Sequence, residues 1–472
     1  MDMYDKGRVK IISSAVLLGI ALGVCWTFAQ DFALALIFSL LLICLVRSLK
    51  IEDHRFIFTA FMVAFCLKIV FILFYYYFWL CPGNIGVIGP DGEVFSQRGW
   101  YISRVLLGEG LDSVPTAERP FLFQRAIAQR FNWQLPPVDV YQIGLFSYLI
   151  GYFYLIFGYS NLAIKCINAF LGTFCGIIAY FIARPLFGKT PARIALILTI
   201  FTPTLFLFST TSLRDPSVNV LFLSVFWAIT RLNLGKESRR ILYLLIVFSV
   251  AMIYFLRQPY FYLLSTIVAL ALFFDFISSR KKRFVLVSLA CIFLITTPVH
   301  ARYIHRVLPK LSVPLIVKRH FAFILMGGKN TYRFYPQRFY VPREVPDIKH
   351  LAEMTTAELL SSYTKGVAYF MFLPFPWELQ RKVSLFLLPQ TLVWYFLFPF
   401  VLLGSLLALR YKFRQTCLVI LALFLAISFM ALGEGNIMAA IRHRDVLLPL
   451  FFIFASVGLV KAFARLEPIG RS

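Results

Sequence analysis

Carboxylates stand directly beside apolar runs at two places in the chain. The stretch "PDGEVF" carries Asp91 and Glu93 shortly after one run, and "SLRDPS" carries Arg214 and Asp215 between two others. A carboxylate fixed near a membrane surface could take a proton from a hydroxyl group, and Asp91 and Asp215 could instead ligate a divalent cation. A turn at Asp91 and a helix cap at Asp215 explain both places without any chemistry, so the residues alone leave both interpretations open.

Basic residues gather at a third place, before the last apolar run. The stretch "GEGNIMAAIRHRDVLLPLFFIF" (433–454) begins with polar and charged side chains, and one more arginine lies in "YFLRQPYFY". Guanidinium groups bind phosphate through parallel hydrogen bonds, so an anionic ligand is one explanation. Contact with lipid headgroups is the simpler alternative. The candidates for binding a lipid phosphate or its sugar are Arg214, Arg257, Glu434, Asn436, Arg442, His443 and Arg444.

The local geometry before that run matters, because adjacent residues of a regular helix point in different directions. We expect Arg442 and Arg444 to converge on a ligand in a segment that is still extended, with His443 lining the site or facing away. The helix would then begin near Asp445, which can act as its N-cap.

The composition is that of a membrane protein. Hydrophobic residues make up 60% of the 472 residues, whereas soluble proteins contain roughly 45–50%. Repeated apolar runs of the length needed to cross a bilayer predict an all-α polytopic protein. The net charge of +25 fits anionic headgroups and positively charged cytoplasmic loops. The lack of a polar, basic domain argues against nucleic-acid binding, and the singly spread cysteines argue against a zinc cluster or a disulfide framework.

The apolar runs and the cations between them predict a topology. If every short cationic loop is cytoplasmic, the assignments alternate correctly only when the run at 140–157 does not cross the membrane. This predicts twelve spans, cytoplasmic termini, and two long extracytoplasmic segments at about 81–160 and 301–382. The apolar runs lie at 11–29, 32–48, 56–80, 140–157, 162–183, 192–210, 217–230, 241–256, 259–279, 284–299, 383–409, 415–432 and 446–464.

The order of these stretches resembles the GT-C membrane glycosyltransferases. "PDGEVF" is followed by "YLIFGYSNLAIKCINAFLGTFCGIIAYFIARPLFG", by "PARIALILTIFTPTLFLFSTTSLRDPSVNVLF" and finally by "EGNIMAAIRHRDVLLPLFFIFASVGL". The likeness covers roughly residues 55–465 and is greatest to the protein-mannosyltransferase and aminoarabinose-transferase-like members. It implies a helical bundle of about 12 spans with juxtamembrane helices in two large extracytoplasmic loops.

The resemblance also implies a domain organisation. Residues 1–54 would form an additional transmembrane hairpin, and 55–300 would form the core, with the first extracytoplasmic loop at 81–160. Residues 301–382 would form the second large loop, and 383–472 would form the C-terminal transmembrane helices. The 140–157 segment would be a juxtamembrane helix of the first loop.

For function, the resemblance implies transfer of a sugar from a polyprenyl phosphate on the outer face of the plasma (inner) membrane. Asp91 and Asp215 match the acids of the first and second loops, with roles in acceptor activation or metal coordination. Phe95 replaces the usual tyrosine, no DxD pair follows, and Arg214 adjoins the second acid, so the acceptor (glycan, lipid or protein) and any divalent cation stay open. A Wzy-type polysaccharide polymerase and a lipid-linked-sugar flippase or transporter are the alternatives.

Overall fold

The computed structural model describes residues 30–48, 53–74, 90–108, 144–234, 238–276, 332–340, 355–375 and 387–463. Within these ranges the regular structure is helical, apart from one isolated bridge residue at Asn436. The helices are α1 (Gln30–Ser48), α2 (His54–Phe74), α3 (Pro90–Leu106), α4 (Leu145–Phe157), α5 (Asn161–Phe187), α6 (Lys189–Phe201), α7 (Pro203–Ser209), α8 (Asp215–Leu234), α9 (Arg239–Leu256), α10 (Gln258–Phe276), a 3-10 turn at Gln337–Phe339, α11 (Thr356–Phe372), α12 (Leu388–Gly433) and α13 (Ile437–Phe463).

The helices confirm an all-α polytopic membrane protein. Six of them in the described ranges, α2, α5, α8, α9, the first part of α12 and α13, are long and apolar enough to cross a bilayer. The pair α6 and α7, bent by 56°, counts as a seventh if it forms one broken span. Three more predicted spans coincide with shorter apolar helices, and those at 11–29 and 284–299 lie outside the described residues.

The described part of the run at 140–157 forms a short helix. Helix α4 has 13 residues, or about 20 Å of length, which is less than the roughly 30 Å of hydrocarbon in a bilayer. It packs on α3 through two glycines, since a Cβ on Gly99 would lie 3.1 Å from the Gly151 nitrogen and one on Gly151 would lie 3.0 Å from the Gly99 oxygen. The two helices therefore approach through their backbones, in agreement with a juxtamembrane pair.

By its contacts the chain divides into two compact units. The first comprises Met1–Cys175 and Phe206–Val220, and the second comprises Gly176–Leu205 and Leu221–Ser472. The predicted domain boundaries follow the sequence order of the spans and stay predictions. In the first unit the core lies along α2 and the first half of α5, where Phe61 packs edge-on against Phe170. The aliphatic part of the buried Lys68 also belongs to this core, with its ammonium 5.7 Å from the Phe206 ring centre.

In the second unit, α12 and α13 pack closely together. A side chain on Gly404 would overlap the Phe454 carbonyl, and one on Gly458 would overlap the Phe400 carbonyl. Small residues let apolar helices approach in this way inside a membrane. Helix α12 breaks at Lys412, whose backbone is not helical, and the Thr416 hydroxyl donates to the carbonyls of Ala408 and Lys412 there. The cationic loop predicted between 409 and 415 lies at this break.

The expected start of the last helix is wrong. Helix α13 begins at Ile437, eight residues before Asp445, so Arg442, His443 and Arg444 are all helical. The side-chain oxygen of Asn436 accepts from the backbone N–H groups of Met438 and Ala439 and caps the helix. The helix carries its charged residues because most of them are buried against partners from neighbouring elements.

Candidate functional site

In the first unit, the beginning of α3 lies against the loop that precedes α8. A Cβ on Gly92 would lie 3.1 Å from the Ser212 nitrogen and 3.3 Å from the Leu213 nitrogen. Only glycine lets the two backbones come this close without a shift. These segments are more than 100 residues apart in the sequence. In the fold, Gly92, which follows Asp91, lies against Ser212, which precedes Asp215 by three residues.

Glu93 is held in place by two partners from the first turns of α5. Its Oε1 lies 2.9 Å from Nζ of Lys165, and its Oε2 accepts from the amide of Asn161 at 2.7 Å. The Lys165 side chain is 3% exposed and that of Glu93 is 20% exposed, so the ion pair is largely removed from water. Removing one partner of such a pair leaves a buried charge uncompensated. Both carboxylate oxygens are therefore engaged in fixing α3 to α5.

The same face of α5 also fixes the loop before α8. Asn161 accepts from the Ser212 hydroxyl. Asn168 donates from its amide to the Thr211 and Leu213 carbonyls, at 2.7 and 2.8 Å. These bonds satisfy backbone carbonyls of the buried loop. This role of Asn161, Lys165 and Asn168 was not predicted from the sequence. Their i, i+4, i+7 spacing in an apolar run does indicate a polar stripe on one helix face.

The remaining candidate residues of the first unit are Asp91, Arg214 and Asp215. Asp215 is buried and is the first residue of α8, where a carboxylate is stabilised by the free N–H groups of the helix. The Arg214 guanidinium lies 5.5 Å from the centre of the Phe95 ring, a cation–π distance. Asp91 lies in the first turn of α3, and its side chain is outside the described part of the chain. The convergence of Asp91 and Asp215 thus stays a prediction.

In the second unit, His443 is the centre of a buried polar cluster. Its Nε2 accepts from an Arg257 guanidinium at 3.2 Å and lies 3.3 Å from Oε2 of Glu434. Its Nδ1 lies 2.8 Å from the Tyr260 hydroxyl, which donates to the His443 carbonyl at 3.2 Å. The bonds to Arg257 and Tyr260 are mutually consistent for an imidazole whose proton is on Nδ1 and whose Nε2 is an acceptor. The cluster joins α13 to the turn between α9 and α10.

Glu434 is the acidic member of this cluster and follows the end of α12. Burial raises the pKa of its carboxyl to about 7, against the opposing effects of the Asn436 backbone N–H and the positive charges of Arg257 and Arg442. Gly435, the next residue, accepts a backbone hydrogen bond from Tyr332 at 2.8 Å, which fixes the turn. A carboxyl with such a pKa changes its charge near neutral pH. The charge of the cluster therefore depends on the proton of Glu434.

Arg444 lies on another side of α13 from Arg442. Residues two positions apart in a helix point about 200° apart around its axis. The expected convergence of these arginines in an extended segment is therefore wrong. Arg444 is fully buried, and its Nη1 donates to the carbonyls of Met371 and Leu373 at 2.8 and 3.0 Å. Its guanidinium also lies 5.9 Å from the Trp394 ring. Arg444 thus holds the end of α11 against α12 and α13.

Two further polar residues have structural contacts in the second unit. Asn436 caps α13, as described above. Asp445, which we expected to be the cap, is buried inside α13 and accepts from the Thr204 hydroxyl at 2.9 Å. Among the described residues no three His, Cys, Asp or Glu side chains come together as a metal site. A divalent cation at Asp91 and Asp215 remains an untested expectation, because the Asp91 side chain is not among them.

A comparison with protein families identifies the middle of the chain. Residues 144–312 match the model of the dolichyl-phosphate-mannose-protein mannosyltransferase family. The resemblance to the GT-C glycosyltransferases is confirmed for this segment. The matched segment begins at α4 and includes Asp215 and Arg257. No curated protein and no solved structure matches the chain.

The match covers the middle of the chain and bears on its function. It supports a membrane glycosyltransferase of the mannosyltransferase type that uses a polyprenyl-phosphate sugar as donor. The apolar helices described above fit such a multi-pass enzyme, whose lipid substrate lies in the bilayer. The clusters around Glu93 and His443 contain buried charged groups of the kind that enzymes place at their sites.

Proposed function

We propose that the protein transfers a sugar from a polyprenyl-phosphate donor to an extracytoplasmic glycan, lipid or protein acceptor during assembly of cell-envelope polysaccharide. The observation that carries this proposal is the buried cluster of Arg257, Arg442, His443 and Glu434 in a chain whose middle matches the mannosyltransferase family. The enzyme would lie in the plasma (inner) membrane with cytoplasmic termini, and the chemistry would take place at the opposite membrane face.

The donor phosphate would bind at Arg257 and Arg442. Both arginines are close enough to Glu434 to lower the pKa of its carboxyl, so two half-buried guanidinium groups lie near one buried acid. Cleavage of the bond between the sugar carbon and the phosphate oxygen leaves a polyprenyl phosphate with one more negative charge. Fixed guanidinium groups stabilise this developing charge better than water does. Arg444 has a different role in this proposal, because its Nη1 already donates to two backbone carbonyls.

A carboxylate would activate the acceptor. The acceptor oxygen forms its bond to the sugar carbon, and its proton passes to the carboxylate. Asp91 and Asp215 are the candidates for this base. Glu93 is better suited to positioning, because both of its oxygens are already bound by Lys165 and Asn161.

The test is transfer of mannose from a synthetic polyprenyl-phosphate mannose by the purified protein in lipid nanodiscs. Arg257→Lys and Arg442→Lys keep a charge but lose the planar fork. Loss of one charge-assisted contact should weaken donor binding about ten- to a hundredfold. Arg410→Lys, at an exposed position on α12, serves as the control and should behave as wild type. Absence of transfer from this donor, with any cell-envelope acceptor fraction, would contradict the proposed function.

A further inference from the structure

An apolar groove opens between three helices of the second unit. It encloses a volume of about 120 Å³, less than the roughly 300–1,000 Å³ of sites that take whole small molecules, so it suits a segment of a hydrocarbon chain. Its walls are almost entirely aliphatic, with one tyrosine. The lining residues come from the end of α8 (Ile229, Leu232, Asn233), the beginning of α9 (Arg239, Tyr243, Ile246, Val247) and the far part of α10 (Val268, Ala271).

The polar groups of the groove lie at one end. Asn233 is near the last residue of α8, and Arg239 is the first residue of α9. Arg240 follows it, and both arginines are exposed with no ion-pair partner in the part of the chain that the structure describes. The N-terminus of α9 adds free N–H groups, which favour an anion in the same place. The groove thus combines an apolar slot with a cationic mouth.

The outer face of α9 beside the groove is suited to lipid. Ile241, Leu244 and Phe248 are more than half exposed although they are large and apolar. Helix α9 has the length and composition of a membrane span, so these side chains would contact acyl chains. The groove is therefore accessible from the bilayer.

The groove lies at the end of α9 that is remote from the His443 cluster. Helix α9 has 18 residues, so its ends are about 27 Å apart, and Arg257 directly follows its last residue. That distance is close to the roughly 30 Å thickness of the hydrocarbon layer. A phosphate at Arg239 and a phosphate at Arg257 would thus belong to lipids of opposite leaflets.

We propose that this groove binds an anionic phospholipid, with one acyl chain between α8, α9 and α10 and the phosphate at Arg239 and Arg240. The cationic mouth selects an anionic headgroup over a zwitterionic one. The aliphatic walls need a flexible hydrocarbon chain, which a second copy of the protein or a polar ligand does not supply. The site is distinct from the donor site and does not depend on the proposed transferase activity.

Native mass spectrometry of the full-length protein, titrated with phosphatidylglycerol and with phosphatidylcholine, tests this site. We expect tight binding of one phosphatidylglycerol and weak binding of phosphatidylcholine. Arg239→Gln and Arg240→Gln should each weaken phosphatidylglycerol binding about fivefold, since one arginine near anionic lipid contributes about that factor. Val247→Trp should fill the groove and remove the bound lipid.

Leu244→Trp is the matched control, because Leu244 is as exposed as Val247 on the same helix but does not line the groove. It should leave binding unchanged. Equal affinity for both lipids, or phosphatidylglycerol binding that survives Val247→Trp, would overturn the proposal. A dimer that Val247→Trp dissociates would also overturn it, by showing a second copy in the groove.

Discussion

Glu93 and Lys165 form a buried ion pair, with Oε1 and Nζ 2.9 Å apart, that fixes the beginning of α3 to α5. Asn161 binds the second carboxylate oxygen and also accepts from Ser212, so one network holds both loops that carry the candidate acids. The pair is costly to bury and is compensated only while both partners are present. This dependence separates a positioning role for Glu93 from a role as the base.

Lys165→Met should lower the free energy of unfolding by about 3–5 kcal/mol, because it leaves the Glu93 carboxylate buried without its cation. The double variant Glu93→Gln, Lys165→Met should regain most of that stability, since no charge is left in the site. Thermal unfolding in detergent measures both. If Glu93 only positions α3, the double variant keeps measurable transfer activity. A folded but inactive double variant would identify Glu93 as the base.

Gly92→Ala should impair activity because the new methyl group meets the backbone of Ser212 at 3.1 Å. Either α3 or the loop before Asp215 must move, at a cost of roughly 1–3 kcal/mol. We expect a several-fold fall in kcat with the protein still folded. Gly144→Ala is the control, since a Cβ there would meet no atom of the described residues within 4 Å. Equal effects of the two substitutions would show that the contact at Ser212 does not matter for catalysis.

Glu434 should make the stability of the second unit depend on pH. Burial raises the pKa of its carboxyl from its ordinary value of 4.5 to about 7, so between these values the folded state binds a proton that the unfolded state has lost. Stability from this group is therefore complete below about pH 4.5 and falls as the pH rises to 7, by roughly 3 kcal/mol. Melting temperatures of wild type and Glu434→Gln between pH 5 and 8 measure the difference.

The substituted amide cannot titrate, so the variant should lack this part of the slope. Arg257, Arg442 and His443 are the charged or titratable groups that face Glu434, and all three are unchanged in the variant. A bound phosphate would favour the protonated carboxyl, so donor affinity should also increase as the pH falls through 7. Identical pH profiles of the two proteins would remove Glu434 as the titrating group.

Arg444 and Arg442 should differ in what their loss affects. Arg444→Lys shortens the reach to the carbonyls of Met371 and Leu373 and should lower stability by about 1.5–3 kcal/mol. Donor affinity per folded molecule should stay near the wild-type value. Arg442→Lys should show the opposite pattern, with weakened donor binding and normal unfolding. Thermal unfolding and donor binding, measured on the same samples, tell the two patterns apart.

Apolar run lengths and short cationic loops predicted much of the architecture. The break of α12 at Lys412 lies where the sequence has Arg410 and Arg414, and the run at 140–157 forms the short α4. Such features are local, because run length and loop charge decide them. The start of α13 could not be predicted in this way. From the sequence, Arg444 and Asp445 are too polar to be expected inside a buried helix. Their burial is possible because they have partners on α7, α11 and α12.

For the candidate residues too, the local sequence predicted some features, whereas others depend on distant partners. The types of Glu93, Arg257 and His443 drew attention to them, because charged groups beside apolar runs are costly unless they are paired. Their partners were not predictable from one sequence: nothing near His443 in the chain points to Tyr260, 183 residues away. Asn161 and Asn168 were overlooked because amides in an apolar run carry no charge to mark them.

The close contact of α12 and α13 at Gly404 and Gly458 restricts how the enzyme can move during turnover. If either helix slid or rotated against the other, a backbone carbonyl of one would collide with the backbone of the other. Arg442 and His443 thus travel with α12 as one piece. Any opening that admits a lipid-linked sugar or releases the spent carrier must come from elements other than this helix pair. An engineered disulfide across the pair should consequently leave the catalytic rate intact.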